Sequence, residues 1–485
     1  MKQVDTQVPL RKNVGMWLFL LALLLRLAPV LAFSDLGIGL DDMFQYDMLA
    51  RSIVAGDGYR WYGQDDLYLV ENYITFDMTT VDYDPRGVLT SFRPPLYPAF
   101  LALIYFLSGV DSDRFFTARL VQAFLSAGMV PLTYALARRL FPDREAVAAI
   151  SSWIITLYPM LIVYPLSLAT ENLFFILVLG SILLLLKAEQ SRQWYWFGAA
   201  GIVLGLTALT RSVSLAFAGL AVLWAWFLLR ERKNALMVFL TVTIVTLPWM
   251  VRNSILHGRP IGIESALGYD LYVGYHPDGE GAFEYPQSMD LIPFLDDGYR
   301  DELGQEKALE FIRDDPGRVP YLVLRRAGFF FGLERRAMTY FYSNNYFGYI
   351  PTGFFLVIAG LLLLPFVVVS TSAIVGFTVT SWNQKTLLVV LFFIGYITPH
   401  LLITAEDRFH LTIVPFLAML SANYWVSGRK SLTALWTTSR GKIRLIIAGI
   451  IVLLLIMNWG LELWRDSEML AQLLGPQGNM TYYPY

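Results

Sequence analysis

What most constrains this chain is a series of long apolar runs separated by short charged turns. A helix that crosses a bilayer needs about 20 mostly apolar residues, within a range of roughly 17–25. Met16 to Phe33 meets that length and follows Lys2, Arg11 and Lys12. Runs of the same kind occupy 115–137, 145–164, 171–187, 195–210, 213–229, 235–251, 351–369, 386–403, 411–427 and 443–460, eleven in all. No small-residue cleavage pattern follows the first run, so it reads as an anchor rather than a signal peptide. Charged residues make up only 16% of the chain, against about 25% in a soluble domain. A soluble enzyme and a disordered chain are both excluded, and the fold class expected is an all-α polytopic membrane protein with about 11 transmembrane helices.

The segment Pro94 to Val110 is apolar as well, but short, and it opens on Arg-Pro-Pro. The rule that cytoplasmic loops collect Lys and Arg decides its treatment. If it does not cross, seventeen basic residues fall on the cytoplasmic side, among them Arg138, Arg139, Arg144, Arg232, Lys385 and Arg429. Only Arg114, Arg211 and Arg408 then fall in short outer loops. If it crosses, that bias reverses. Residues 94–110 are therefore expected as a juxtamembrane or re-entrant helix, with the N-terminus cytoplasmic and the C-terminus external. The organisation that follows is a transmembrane module over 1–255 with a first external loop at 34–94, an external loop domain at 252–350, transmembrane helices over 351–460 and an external tail at 461–485. The first loop is rich in Asp, and the second carries a helix-like stretch from Asp301 to Arg313.

The chain has no cysteine, which removes disulfides, thiolate catalysis and Cys-based metal sites. Its net charge of -2 gives no reason to expect nucleic acid as a partner. It contains no Gly-rich phosphate loop ending in Lys-Ser/Thr, no H-E-x-x-H helix and no G-x-S-x-G elbow. Its four histidines lack metal-site spacing. Neither a cofactor nor a metal is expected.

Ionisable residues inside or at the rim of spans are costly, and by default they are functional hypotheses. Here they share one side: Asp41 and Asp42 after the first span, Tyr46 one turn on, Arg93 at the re-entrant helix, Arg119 inside the next span, Glu171 at the head of another, Arg211 in a hairpin and Arg252 at a span end. Glu406-Asp407-Arg408 caps a later span. A cavity open to the outer face would hold them all. Arginines there suit a phosphate, which guanidinium pairs bidentately, and the carboxylates suit a base or a polar ligand. Most have a plainer reading, Arg119 less so because it lies deeper in its span. Asp41 or Asp42 also fits an N-cap for a helix from Met43 to Ala55, and Arg93 and Arg252 also fit interfacial cations with buried stems. Glu171 also fits a cap, Arg211 a loop charge and Glu406-Asp407-Arg408 a surface ion pair.

At these residues the sequence resembles the membrane glycosyltransferases of the C-type fold that use lipid-phosphate sugars, in the group of protein O-mannosyltransferases and the lipid A aminoarabinose transferase. The resemblance runs through Asp42-Met-Phe-Gln-Tyr46, Ala50, Gly56-Asp-Gly58-Tyr59, Phe92-Arg93-Pro94-Pro95-Leu96, Arg119, Thr170-Glu171, Leu209-Thr-Arg211 and Pro248-Trp-Met-Val-Arg252-Asn253, covering about the first 255 residues. It implies a polyprenyl-phosphate sugar as donor and a single inverting displacement. It further implies Asp42 as the base (Asp41 if the alignment slips by one), Arg93 and Arg119 as phosphate ligands, and Tyr46, Glu171, Arg211 and Arg252 as further donor contacts. Two departures stand out. Phe92 replaces an acid implicated in metal binding in the aminoarabinose transferases, and Gln45 stands where those enzymes tend to carry a basic residue. The partners implied are the lipid-linked donor, a lipid, glycan or protein acceptor, and the bilayer. Rival readings are a polymerase or ligase of polyprenyl-linked glycans, or a flippase or transporter, which would place charges near the bilayer midplane.

Overall fold

The computed structural model describes residues 14–481. Lys2, Arg11 and Lys12, the basic residues before the first span, lie outside the described residues. Each of the eleven expected spans falls on a helix. Seven are long and apolar enough to cross a membrane: Val14–Ala32, Arg114–Leu140, Glu171–Ser191, Arg232–His257, Thr352–Thr378, Gln384–Leu402 and Ser439–Arg465. An eighth is a pair, Glu145–Leu157 and Pro159–Leu166, bent by 57°. Pro159 causes the break, because a residue before proline is driven out of the helical region, and Tyr158 is extended at φ -68°, ψ 113°. Trp194–Thr210 and Ser214–Leu228 are apolar but shorter. The chain is a multi-pass membrane protein.

The helix Val414–Trp436 lies at the centre. Its first ten residues, Val414 to Asn423, are all buried, as expected of a helix that is apolar all round. By contrast, Ser439–Arg465 turns a long row of Ile and Leu outward. The short apolar segment forms a helix over Leu96–Ser108. At 1.5 Å per residue its 13 residues rise about 20 Å, short of a hydrocarbon core of about 30 Å.

Directly after the first span comes the helix Asp42–Ala55. Asp41 is its N-cap and accepts from the Met43 amide at 2.8 Å. Gly56, at φ 81°, ends it in the left-handed conformation that a side chain would disfavour. This helix packs on Leu96–Ser108 through Tyr46, Ala50, Tyr97, Leu101 and Tyr105.

The two long loops, 34–94 and 252–350, share one core. Phe44, Met48, Trp61 and Phe92 of the first pack with Tyr269, Val273, Leu291 and Leu295 of the second. A two-stranded ribbon, Arg60–Trp61 against Val88–Leu89, holds the first loop together. In the second, the expected helix runs from Asp297 to Asp314, with Asp296 capping it through the Gly298 and Tyr299 amides. It crosses Leu267–Tyr275 so closely that a Cβ on Gly268 would lie 1.8 Å from the Asp301 carbonyl oxygen. That contact fixes where Tyr269 and Asp270 point.

Candidate active site

The ends of the spans and the two long loops enclose a cavity of about 730 Å³. Asp41, Asp42, Tyr46, Arg93, Glu171 and Arg211 all line it. The helix Asp42–Ala55 begins at its wall, so Asp42 and Tyr46, one turn apart, face it together. The Pro-Pro step after Arg93 starts the helix Leu96–Ser108 and leaves Arg93 at its mouth. Glu171 opens its own helix, and Arg211 closes Trp194–Thr210.

Asp42 is the hub. One carboxylate oxygen pairs with Arg93 Nη2, and the other accepts from Arg408 Nη2 at 3.1 Å. Arg408 Nε lies 2.9 Å from Glu406, and Arg336 lies 2.7 Å from Glu406 and 2.6 Å from Asp407. The result is a chain of alternating charge, Arg93–Asp42–Arg408–Glu406–Arg336–Asp407. The side chains of Asp42, Arg93 and Arg408 keep 29%, 21% and 23% of their surface accessible, so each still meets the cavity. Arg93 Nε also donates to Gln45 at 2.8 Å, and its guanidinium lies over Tyr46 and Phe92. Gln45, the departure noted in the sequence, thus orients this arginine. Arg211 pairs with Glu171 at 2.6 Å and with Thr170 at 3.2 Å, and lies over the Phe409 ring.

Burial works to raise the Asp42 carboxyl, but Arg93 and Arg408 outweigh it and hold the group well below the usual carboxylate range. Asp270 behaves in the opposite way. Burial, then the charge of Glu264, push its carboxyl up to about 7, and Arg93 only partly offsets them.

Two residues expected in the site lie outside the cavity lining. Arg119 is fully buried and donates to the carbonyls of Leu166 (2.8 Å), Gly37 (2.8 Å) and Leu36. It ties the segment after the first span to the bent span, and all its bonds go to backbone. Arg252 Nη1 donates to the Thr90 carbonyl at 2.5 Å, and its guanidinium stacks on Trp249 and Tyr59. Its neighbour Asn253 holds the carbonyls of Gly262 and Ile263, both at 3.0 Å. This block is a brace that sets the position of Glu264. Between Asp41 and Asp42, the capping role falls to Asp41.

Sequence reasoning missed Glu264, Asp270 and Arg336 as wall residues, and read Arg408 only as part of a rim triplet. The signal for Arg408 and Arg336 was a charge beside an apolar span, shared by many surface residues. Asp270 and Glu264 had no local signal.

Among the described residues, one group has metal-ligand types in reach of one another: His257, Asp296 and Asp297, within 4.8 Å. In this group Asp297 Oδ1 is buried and accepts no hydrogen bond among the described residues. His257 Nδ1 faces Asp296 at 3.8 Å while Nε2 faces Asp297 at 3.6 Å, so the carboxylates lie off different ring nitrogens. Asp296 is occupied as a helix cap, and Asp297 Oδ2 accepts from Thr90 and Ser265 hydroxyls and the Ser91 amide. Phe92 is covered by Arg300, whose guanidinium lies 4.3 Å over its ring.

Fold and cavity together define a class: a multi-pass helical membrane protein with an arginine–carboxylate chamber at one end of its spans. Residues 92–251, about a third of the chain, match the profile of the dolichyl-phosphate-mannose-protein mannosyltransferase family. The likeness to C-type membrane glycosyltransferases that use lipid-linked donors therefore holds over the stretch that runs from Phe92-Arg93-Pro94-Pro95 to the residue before Arg252. No curated protein matches the chain. Among solved structures, the Archaeoglobus fulgidus oligosaccharyltransferase in complex with Zn and sulfate is similar at 15% identity and a TM-score of 0.48, over 97% of this chain. The chain spans 57% of that enzyme's length. ArnT from Cupriavidus metallidurans bound to undecaprenyl phosphate is similar at 15% identity and a TM-score of 0.40, over 87% of this chain and 79% of that one.

Proposed function

We propose that the protein is an inverting glycosyltransferase that moves a sugar from a polyprenyl-phosphate donor to an acceptor on the outer face of the membrane. The observation that carries this reading is the Asp42 carboxylate held between Arg93 and Arg408 in a cavity at the ends of the spans. A phosphate leaving group is already a stable anion, so it needs cationic stabilisation and no general acid. Arg93 and Arg408 supply that, because an arginine held by a carboxylate can exchange it for a phosphate oxygen. The exchange removes what holds Asp42 acidic. Its basicity rises when the donor is in place, and it can then take the acceptor's proton. The acceptor oxygen bonds to the anomeric carbon, the bond from that carbon to the phosphate oxygen breaks with its electron pair leaving on the phosphate, and the proton ends on Asp42. Attack opposite the leaving group inverts the anomeric carbon. Glu171, Arg211 and Tyr46 line the remaining donor side.

The outer-face assignment rests on the bias of basic residues. In a membrane vesicle of known orientation, Asp278→Cys in the second loop should react with an impermeant thiol reagent from outside, and Thr437→Cys only after permeabilisation. The activity itself is tested by purified protein in liposomes, supplied with a polyprenyl-phosphate-linked labelled mannose and a panel of acceptors. Release of free polyprenyl phosphate with label on an inverted product supports the reading. Label retained on the lipid with every acceptor, by protein that binds the lipid, would sink it in favour of transport.

A further inference from the structure

One wall of the cavity differs in chemistry from the arginine side, and it is built by the second external loop. Asp270 is half-buried at this wall, and among the described residues no side chain or amide donates a hydrogen bond to its carboxylate. Glu264, beside it, is engaged through the Ser212 hydroxyl. Between and around them lie the Tyr269 ring and Phe283, the latter 45% exposed, with ring centroids 6.0 Å apart. Gln305 also lines the wall, its amide nitrogen held by Asp301 at 2.9 Å.

We infer that this wall, Glu264, Tyr269, Asp270, Phe283 and Gln305, is a binding subsite for a neutral sugar ring. The inference rests on the glycosyltransferase reading and names the chemistry of a ligand in the same cavity. Sugar hydroxyls donate to carboxylates and to the Gln305 carbonyl, which can only accept. The C–H groups on one face of a pyranose are weakly positive and suit the negative face of an aromatic ring. With its carboxyl near 7, Asp270 carries a proton part of the time at neutral pH and then donates to a hydroxyl. A phosphorylated or carboxylated ligand meets two acidic groups here and is repelled.

The ring has two sources, the donor's own sugar or a glycan acceptor, and one experiment separates them. The full-length protein in nanodiscs is titrated with a neutral mannose disaccharide, its 6-phosphate, a glucosamine disaccharide and a Ser/Thr peptide, with saturation-transfer NMR as readout. The neutral disaccharide should bind. Its phosphate should bind at least about tenfold more weakly. Asp270→Ala should weaken the neutral ligand by about tenfold, the low end for losing a hydrogen bond to a charged group, and Phe283→Ala should weaken it by a smaller but measurable factor, about three- to tenfold, through loss of the ring face. Affinity for polyprenyl phosphate should not change in either variant. If saturating polyprenyl-phosphate mannose leaves disaccharide binding intact, the subsite serves the acceptor; if it displaces the disaccharide, the subsite serves the donor sugar. Should Asp270→Ala fail to fold, Asp270→Asn and the exposed Phe283 carry the test. The subsite is overturned if the peptide or the amino sugar binds and the neutral disaccharide does not, or if both variants bind the disaccharide as the wild type does. Failure of the wild type to bind polyprenyl phosphate would instead strike the glycosyltransferase reading and leave the saccharide result standing.

Discussion

Arg93 and Arg119 are both arginines beside an apolar helix, and as sequence Arg119, deeper in its span, is the harder of the two to read as a mere interfacial cation. The structure separates them by their partners. Arg119 donates to three backbone carbonyls that cannot move without unmaking the fold. Arg93 is held by the Asp42 carboxylate and a glutamine, at the surface of a cavity. An arginine whose donors are spent on backbone has nothing to offer a ligand. One held by a carboxylate can trade that partner for a phosphate. The same contrast sets Arg408 beside Arg93, and sets Arg252 and Arg326 beside Arg119. Arg326 is fully buried among the carbonyls of Gly274, Gly281 and Leu402.

The largest effect is expected at the hub. Asp42→Asn keeps the size of the side chain but can take no proton, so turnover should fall by roughly 10²–10⁴-fold with donor binding little changed. Asp41→Asn should be near normal in stability and activity, since Asn and Asp cap helices about equally well. Transfer assays on both variants and on the double variant give the answer. Normal turnover in Asp42→Asn would move the base elsewhere.

Next comes the arginine contrast itself. Arg119→Ala leaves the buried Leu166 carbonyl without its donor and unties the Leu36 and Gly37 carbonyls of the segment after the first span, and should cost about 1–3 kcal/mol of stability, the worth of a buried orphaned group. Its melting temperature in detergent should drop clearly below the wild type's. Arg93→Ala should melt close to the wild type, yet weaken polyprenyl-phosphate binding by about 1.5–3 kcal/mol. If Arg119→Ala melts normally and loses lipid affinity while Arg93→Ala does not, the comparison is the wrong way round.

The smallest expected effect is on the pH dependence of stability. The folded Asp270 carboxyl is raised to about 7 from an ordinary value of 3.8. The unfolded chain therefore ionises this group first as pH rises. The stabilisation is full below about 4 and is lost progressively as pH rises through about 7. Melting curves of the wild type and Asp270→Asn between these limits should show the variant with the shallower decline. Parallel curves would remove Asp270 as the source.

Much of the fold could be read in the sequence, because crossing a bilayer is a local demand. Every apolar run of sufficient length must bond its own backbone, so each of the eleven runs lies on a helix. The shortness of Pro94 to Val110 and the cap before Met43 were legible for the same reason: both are written in neighbouring residues. Within the site, sidedness sufficed to gather Asp42, Tyr46, Arg93, Glu171 and Arg211. It could not tell Arg93 from Arg119, because residue type does not say whether carbonyls or a carboxylate will come to meet a guanidinium.

Asp270 stands 228 residues from Asp42 along the chain, in a turn-rich loop with no periodic signal. It reaches the cavity because Gly268 and Gly304 let two helices touch and because Asn253 fixes the strand of chain before it. Local hydropathy and backbone chemistry thus determined from sequence that the protein is a helical membrane protein with charges gathered at one rim. Which of those charges are free to meet a ligand was decided only by tertiary packing, since partnership is a property of distance through space and the sequence records distance along the chain.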